Sequence, residues 1–214
     1  KGVLAQNAKE IYETGLERDR AKNQQPKNNN WQQLLTDSKT KILAILGDTG
    51  SGKTSLAYSI AENSERPVYW LKHPQPNLLI PFGIKNLYKF GEMSKLQNAL
   101  IILDEPQLLL PVEDRKANLH LIRLFSLARQ RKLQFLIATS DSRWITRGAE
   151  AYVNVWCIKD IDYDLIKQGS RAKKIIKEAE IFEPSDFTLE INEYYLWTRF
   201  APEFNGKKKF DKPQ

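Results

Sequence analysis

The chain has 214 residues, of which 41% are hydrophobic and 28% charged; that suits one ordinary globular domain burying roughly 70% of its unfolded surface, and excludes a fibrous or wholly disordered chain. The net charge of +7 favours a polyanionic partner. A single cysteine, Cys157, excludes an internal disulfide and, with two histidines, leaves few soft ligands for zinc, while no apolar run approaches the ~18 residues of a membrane span.

In VLAQNAKEIYETGLERD (3–19), Leu4, Ala8, Ile11, Tyr12 and Leu16 recur at steps of three and four, the stripe of an amphipathic helix. AKNQQPKNNN (21–30) cannot bury enough apolar area to offset its ordering entropy and reads as a linker. WQQLL (31–35) suits a short docking helix, and KILAIL (41–46) a strand buried on both faces. Strand-like and helix-like segments then alternate, which predicts a parallel sheet with crossover helices. The expected strands are 41–46, 67–71, 99–103, 133–139 and 152–158; the expected helices are 53–63, 117–131 and 163–180, with a short one near 142–150. FTLEINEYYLWTRF (187–200) reads as a β-hairpin or edge strands, and NGKKKFDKPQ as a frayed, solvated end. The expected division is an N-terminal helical arm and linker (1–36), one α/β domain (37–204) and a basic C-terminal tail (205–214). The lone cysteine makes an intracellular, reducing setting the expectation; the chain begins with Lys1 rather than Met, as a trimmed or partial chain would, and shows no apolar signal-peptide core there.

Directly after the strand 41–46 comes GDTGSGKTS: Gly47, Asp48, Thr49, Gly50, Ser51, Gly52, Lys53, Thr54 and Ser55. Gly47, Gly52, Lys53 and Thr54 fit GxxxxGK[ST] in the required context, between a strand and a helix. Backbone N–H groups of such a loop and the positive helix N-terminus together cradle phosphates, and the glycines permit close approach. Lys53 is expected to reach the β- and γ-phosphates and the Thr54 hydroxyl to coordinate Mg²⁺, so ATP and Mg²⁺ are the expected cofactors. The bland alternative is a glycine-rich turn with a solvated Lys53.

LIILDE (100–105) ends an apolar run in two carboxylates. A strand beside the phosphate-binding strand and ending in Asp104 can hold Mg²⁺ through water, and Glu105 can orient and deprotonate the attacking water. The pair favours hydrolysis over transfer to a hydroxyl; the alternative is an acidic strand end that simply meets solvent. LDEP also occurs in ABC-type ATPases. Here, however, YKFGEMSKLQNA before the strand holds no LSGGQ-like signature, and the spacing from Gly47 to Asp104 leaves no room for their helical insertion.

The succession after Glu105, PQLLLPVEDRKANLHLIRLFSLARQRKLQFLIATSDSRWITRGAEAYVNVWCI, resembles the FtsK–HerA superfamily of DNA-pumping ATPases. The resemblance, over about residues 41–160, is especially to its viral genome-packaging branch and the related zonula-occludens-toxin-like phage assembly ATPases. In that family a helix commonly ends in an RHRG-like turn before a strand finishing in a polar residue, often TQ. The resemblance implies that Arg129 or Arg131 of ARQRK contacts a neighbouring subunit's γ-phosphate, a contact worth roughly 10³ to 10⁵ in rate where measured. It also implies that Ser140 senses γ-phosphate, although Gln130 and Ser140 stand where the family often has His and Gln. A helix-terminal role opposing the dipole is the alternative for both arginines. Arg143 and Arg147 are further candidates for the trans contact or for DNA phosphates.

The implied fold is a P-loop NTPase of the additional-strand, catalytic-glutamate type, with a mainly parallel central sheet flanked by helices, a C-terminal β-hairpin and an N-terminal helical arm. The implied function is a DNA translocase, a viral packaging ATPase working as a homo-oligomeric ring (hexamer or pentamer) on double-stranded DNA. Partners would be portal-like proteins at a capsid vertex, with the protein in the host cytoplasm or on the virion. Candidate DNA loops are KHPQPN (72–77), KNLYKF (85–90) and VEDRK (112–116); Trp144 and Trp156 suit the core or a subunit boundary. The rival readings are a phage assembly or secretion ATPase, a small-molecule kinase, and a nucleotide-dependent switch that does not hydrolyse.

Overall fold

The computed structural model describes residues 29–37, 41–73, 83–108, 115–140, 152–159, 189–198 and 200–210. The expected helices at 3–19, 142–150 and 163–180, with Arg143, Trp144 and Arg147, lie outside them.

Eight strands form one sheet in the order β3-β2-β4-β5-β1-β6-β7-β8. They are β1 (Ile42–Leu46), β2 (Val68–Leu71), β3 (Lys85–Leu87), β4 (Leu100–Asp104), β5 (Gln134–Thr139), β6 (Val155–Ile158), β7 (Glu193–Thr198) and β8 (Gly206–Lys209). β1 to β6 are mutually parallel, and β7 and β8 add an antiparallel hairpin at the β6 edge. Among the described residues the α-helices are α1 (Asn29–Thr36), α2 (Lys53–Glu62) and α3 (Arg115–Arg131).

The period of two along each buried strand sorts its side chains into two layers. Ile42, Ala44, Ile101, Leu103, Phe135 and Ile137 meet Leu121, Leu124, Phe125 and Ala128 of α3. Leu43, Ile45, Ile102 and Leu136 meet Leu56, Ala57 and Ile60 of α2 and Trp31, Leu34 and Leu35 of α1. α1 is therefore built into the core: Trp31 stacks on Tyr194 of β7 at 5.8 Å, and Gln134 Nε2 donates to the Leu35 carbonyl at 2.7 Å.

Three expectations are corrected. The acidic strand β4 does not lie beside β1, because β5 intervenes, pairing Ala138 with Ile45 on one side and with Asp104 on the other. This is the inserted strand of the additional-strand class. KNLYKF is not all loop: Lys85–Leu87 is a parallel edge strand, too short and too polar to show a pattern in sequence. The basic stretch 206–209 is not a frayed end. It is β8, whose Lys207 and Lys209 reach Glu193 at 2.9 and 3.0 Å, and such a lysine-rich edge also discourages pairing with other chains.

Candidate phosphate-binding and hydrolytic site

β1 ends in the loop 47–52, and α2 begins at Lys53. Gly52 caps α2 in the left-handed conformation (φ 86°) with no side-chain hydrogen bond to the first turn. The helix's N-terminal N–H groups therefore point at the loop without a side-chain acceptor, the arrangement that binds anions. Gly52 has a second reason to lack a side chain: a Cβ there would stand 2.7 Å from the Ile191 carbonyl oxygen. That carbonyl is held from behind by the buried Lys159, whose Nζ donates to it at 2.6 Å. The turn before β7 thus backs the loop, a support the motif by itself does not reveal.

Lys53 is buried rather than solvated. Its Nζ lies 3.0 Å from the Asp48 carbonyl and 2.9 Å from Glu105 Oε1. Thr54 Oγ1 donates to Asp104 Oδ2 at 2.9 Å, reaching across β5 where the strand carries only Ala138. Asp104 Oδ1 is buried with no hydrogen-bond partner. Burial pushes the Asp104 carboxyl up; the Thr54 hydrogen bond opposes this, and the neighbouring Glu105 charge adds to it. A half-satisfied carboxylate next to a threonine in the first turn of the helix after the loop is the donor set that holds Mg²⁺ in P-loop enzymes, so these residues fit the ion.

β4's pairing continues one residue further, with the Glu105 N–H donating to the Ala138 carbonyl at 2.8 Å. The backbone then turns, with Glu105 at φ 43°, a conformation uncommon outside glycine. Ser140 at the end of β5 donates to Glu105 Oε2 through both its N–H and its hydroxyl, each at 3.1 Å. Burial pushes the Glu105 carboxyl up, but hydrogen bonds from Lys53, the Ser140 N–H and Gln107, with the Lys53 charge, outweigh this and hold it below the ordinary carboxylate range.

The fold therefore brings Lys53, Thr54, Asp104, Glu105 and Ser140 together. It does not bring Arg129 and Arg131 to them. Those two end α3 at the opposite end of the parallel strands, the length of the six-residue β5 or roughly 20 Å away. Arg131 donates to the Ser94 carbonyl, and Arg129 is exposed. Gln107, which sequence reasoning missed, joins the site from the short 3₁₀ turn Pro106–Leu108. Of the other candidates, Trp156 is in the core and Tyr88 is exposed; residues 74–77 and 112–114 lie outside the described residues.

No protein-family model matches the chain, and no curated protein matches it. Solved structures do. The genome-packaging NTPase B204 of Sulfolobus turreted icosahedral virus 2, in complex with ATP-γS, is similar with a TM-score of 0.59 at 12% identity, over 81% of this chain and 98% of that one. The cytoplasmic domain of the Thermomonospora curvata type VII secretion ATPase EccC gives 0.52 at 12% identity, over 82% of this chain and 24% of the other. EssC (ATPases 2 and 3) of Geobacillus thermodenitrificans gives 0.54 at 11%, over 84% and 40%. The chain has the P-loop NTPase fold that these packaging and secretion ATPases share, the fold its resemblance to the FtsK–HerA superfamily implies.

Proposed function

We propose that this protein is an ATP-hydrolysing DNA translocase, a viral genome-packaging ATPase. The observation that carries the hydrolytic reading is Glu105 held between Lys53 and Ser140, beside the Thr54–Asp104 pair and the N-terminus of α2 without a side-chain cap. The coupling to DNA is supported by the fold shared with a viral packaging NTPase and by the net charge of +7. Among the described residues no helix is long and apolar enough to cross a membrane.

The loop N–H groups, Lys53 and the first turn of α2 bind the triphosphate. Thr54 and Asp104 would hold Mg²⁺, which when bound neutralises charge on the β- and γ-phosphate oxygens. Lys53 cannot serve phosphate and Glu105 equally, so its engagement with the triphosphate frees Glu105 Oε1 and makes that carboxylate a stronger base. Glu105 takes a proton from water as the water oxygen bonds to the γ-phosphorus. The bond from that phosphorus to the β,γ-bridging oxygen breaks with its electron pair on ADP, and inorganic phosphate leaves. Ser140 keeps Glu105 in place. Because Arg129 and Arg131 lie at the far pole of their own chain, either can act only on a neighbour's nucleotide, as a homo-oligomeric ring, hexamer or pentamer, would arrange.

The test is the ATPase rate against protein concentration, with and without double-stranded DNA, for the wild type and Glu105→Gln. Expected are a rate per subunit that rises with concentration and DNA, and a fall of about 10² to 10⁴ in Glu105→Gln with nucleotide binding kept. Activity independent of both variables sinks the ring translocase; binding without hydrolysis leaves a nucleotide switch. Mixing Glu105→Gln subunits with Arg129→Ala or Arg131→Ala subunits restores turnover if that arginine acts in trans.

A further inference from the structure

Gln107 follows Glu105 by two residues, yet the 3₁₀ turn folds its side chain back over the end of β5. Its Nε2 donates to Glu105 Oε2 and, at 3.2 Å, approaches Ser140 Oγ; its Oε1 accepts from Thr139 Oγ1 at 2.8 Å. Thr139 is fully buried, so this anchor does not move with the surface. The amide can stand only one way round, since an ionised carboxylate accepts and never donates, and the opposite orientation would set the amide oxygen against it. Glu105 Oε2 then receives three donors: the Gln107 amide, the Ser140 N–H and the Ser140 hydroxyl. Oε1 is left to Lys53.

The two carboxylate oxygens are thus unequal. Oε2 is fastened to the ends of β4 and β5, and Oε1 is the one that becomes available when Lys53 turns to phosphate. A carboxylate on a flexible side chain presents either oxygen in many directions; one whose far oxygen carries three hydrogen bonds presents the other in one. We propose that Gln107 is a positioning residue for hydrolysis, acting through Glu105 by fixing Oε2 so that Oε1 faces the attacking water. The proposal rests on the reading of Glu105 as the base.

Steady-state ATP hydrolysis and equilibrium binding of ATP-γS by the full chain test it, in the wild type, Gln107→Ala, Glu105→Gln and the double variant. Gln107→Ala is expected to lower kcat about ten-fold or more while KM and ATP-γS affinity stay within about two-fold, since the residue touches the base and not the nucleotide. On the Glu105→Gln background the same change is expected to add less than about two-fold, because a residue that works through another has nothing to act on once that one is disabled. Gln107→Glu, nearly the same size but without the donors, is expected to lose as much kcat as Gln107→Ala, which separates the hydrogen bonds from simple filling of space. A wild-type kcat in Gln107→Ala or Gln107→Glu overturns the proposal, as does a loss that multiplies with that of Glu105→Gln or that appears in ATP-γS binding. A wild-type protein that hydrolyses no ATP overturns the Glu105 reading and this one with it; full hydrolysis with an indifferent Gln107 overturns this one alone.

Discussion

Gly52→Ala tests whether the phosphate loop is a free-standing motif or is held from outside. Gly52 sits at φ +86°, where an L-residue costs about 1–2 kcal/mol. The added Cβ would also stand 2.7 Å from the Ile191 carbonyl oxygen and 3.1 Å from Ile191 Cγ1, so the carbonyl must retreat. Retreat weakens its 2.6 Å bond from Lys159 Nζ, and losing a hydrogen bond to a charged group costs about 1.5–3 kcal/mol. Together the change costs roughly 2.5–5 kcal/mol, a large part of the ~5–15 kcal/mol that holds a domain folded. Gly50 is the internal control. Its φ is +83°, but nothing lies within 4 Å of its would-be Cβ, so Gly50→Ala carries only the backbone cost of about 1–2 kcal/mol. Urea unfolding of both variants at unchanged slope should give midpoints whose free energies differ by about 2 kcal/mol. On a Lys159→Met background that gap should shrink, the signature of coupled sites. Equal midpoints for the two alanine variants would show that the Ile191 turn does not press on the loop, and the reasoning would be wrong.

Three further outcomes follow from other contacts. Trp31→Ala should cost about 3–5 kcal/mol in denaturant unfolding, because Trp31 is buried against Tyr194; an unchanged midpoint would detach α1 from the core. The Glu193 carboxyl is pulled down to about 2 by the hydrogen bond from Lys207, then by the Glu190 N–H and Lys209. A depressed folded-state value means stabilisation that is complete above the ordinary value of 4.5 and is lost as pH falls from there towards about 2, so Glu193→Gln should flatten the acid side of the stability profile in that window. Arg131→Ala should lose about 1.5–3 kcal/mol with its bond to the Ser94 carbonyl, and exposed Arg129→Ala less than about 0.5 kcal/mol; lost turnover in a fully stable Arg129→Ala would mark that arginine as the trans contact.

How far the site could be read in advance depended on how local its causes are. The strand–loop–helix turn at 47–55 was legible because glycines and a lysine at fixed spacing between an apolar run and a helical stripe form a local pattern. The position of Asp104 and Glu105 at the end of a buried strand was legible because an apolar run that stops in two carboxylates marks where a strand leaves the core. Gln107 was not, since its role comes from a 3₁₀ turn that folds it onto Thr139 and Ser140, residues more than thirty positions away. Lys159 and Ile191 were silent for the same reason: an isolated lysine and an ordinary isoleucine acquire meaning only when β6 and the turn before β7 meet behind Gly52.

The strands β1, β2, β4, β5 and β6 and the helices α2 and α3 were determined by the sequence alone, because their apolar spacing admits one buried face or two and nothing else. The order of those strands was not. Periodicity says that a segment is buried but not beside which neighbour, and only the tertiary structure places β5 between β1 and β4. That placement shapes the candidate site: it sets Ala138 between Thr54 and Asp104, brings Ser140 and Thr139 to the end of β4, and leaves Arg129 and Arg131 at the far end of the strands, away from that site.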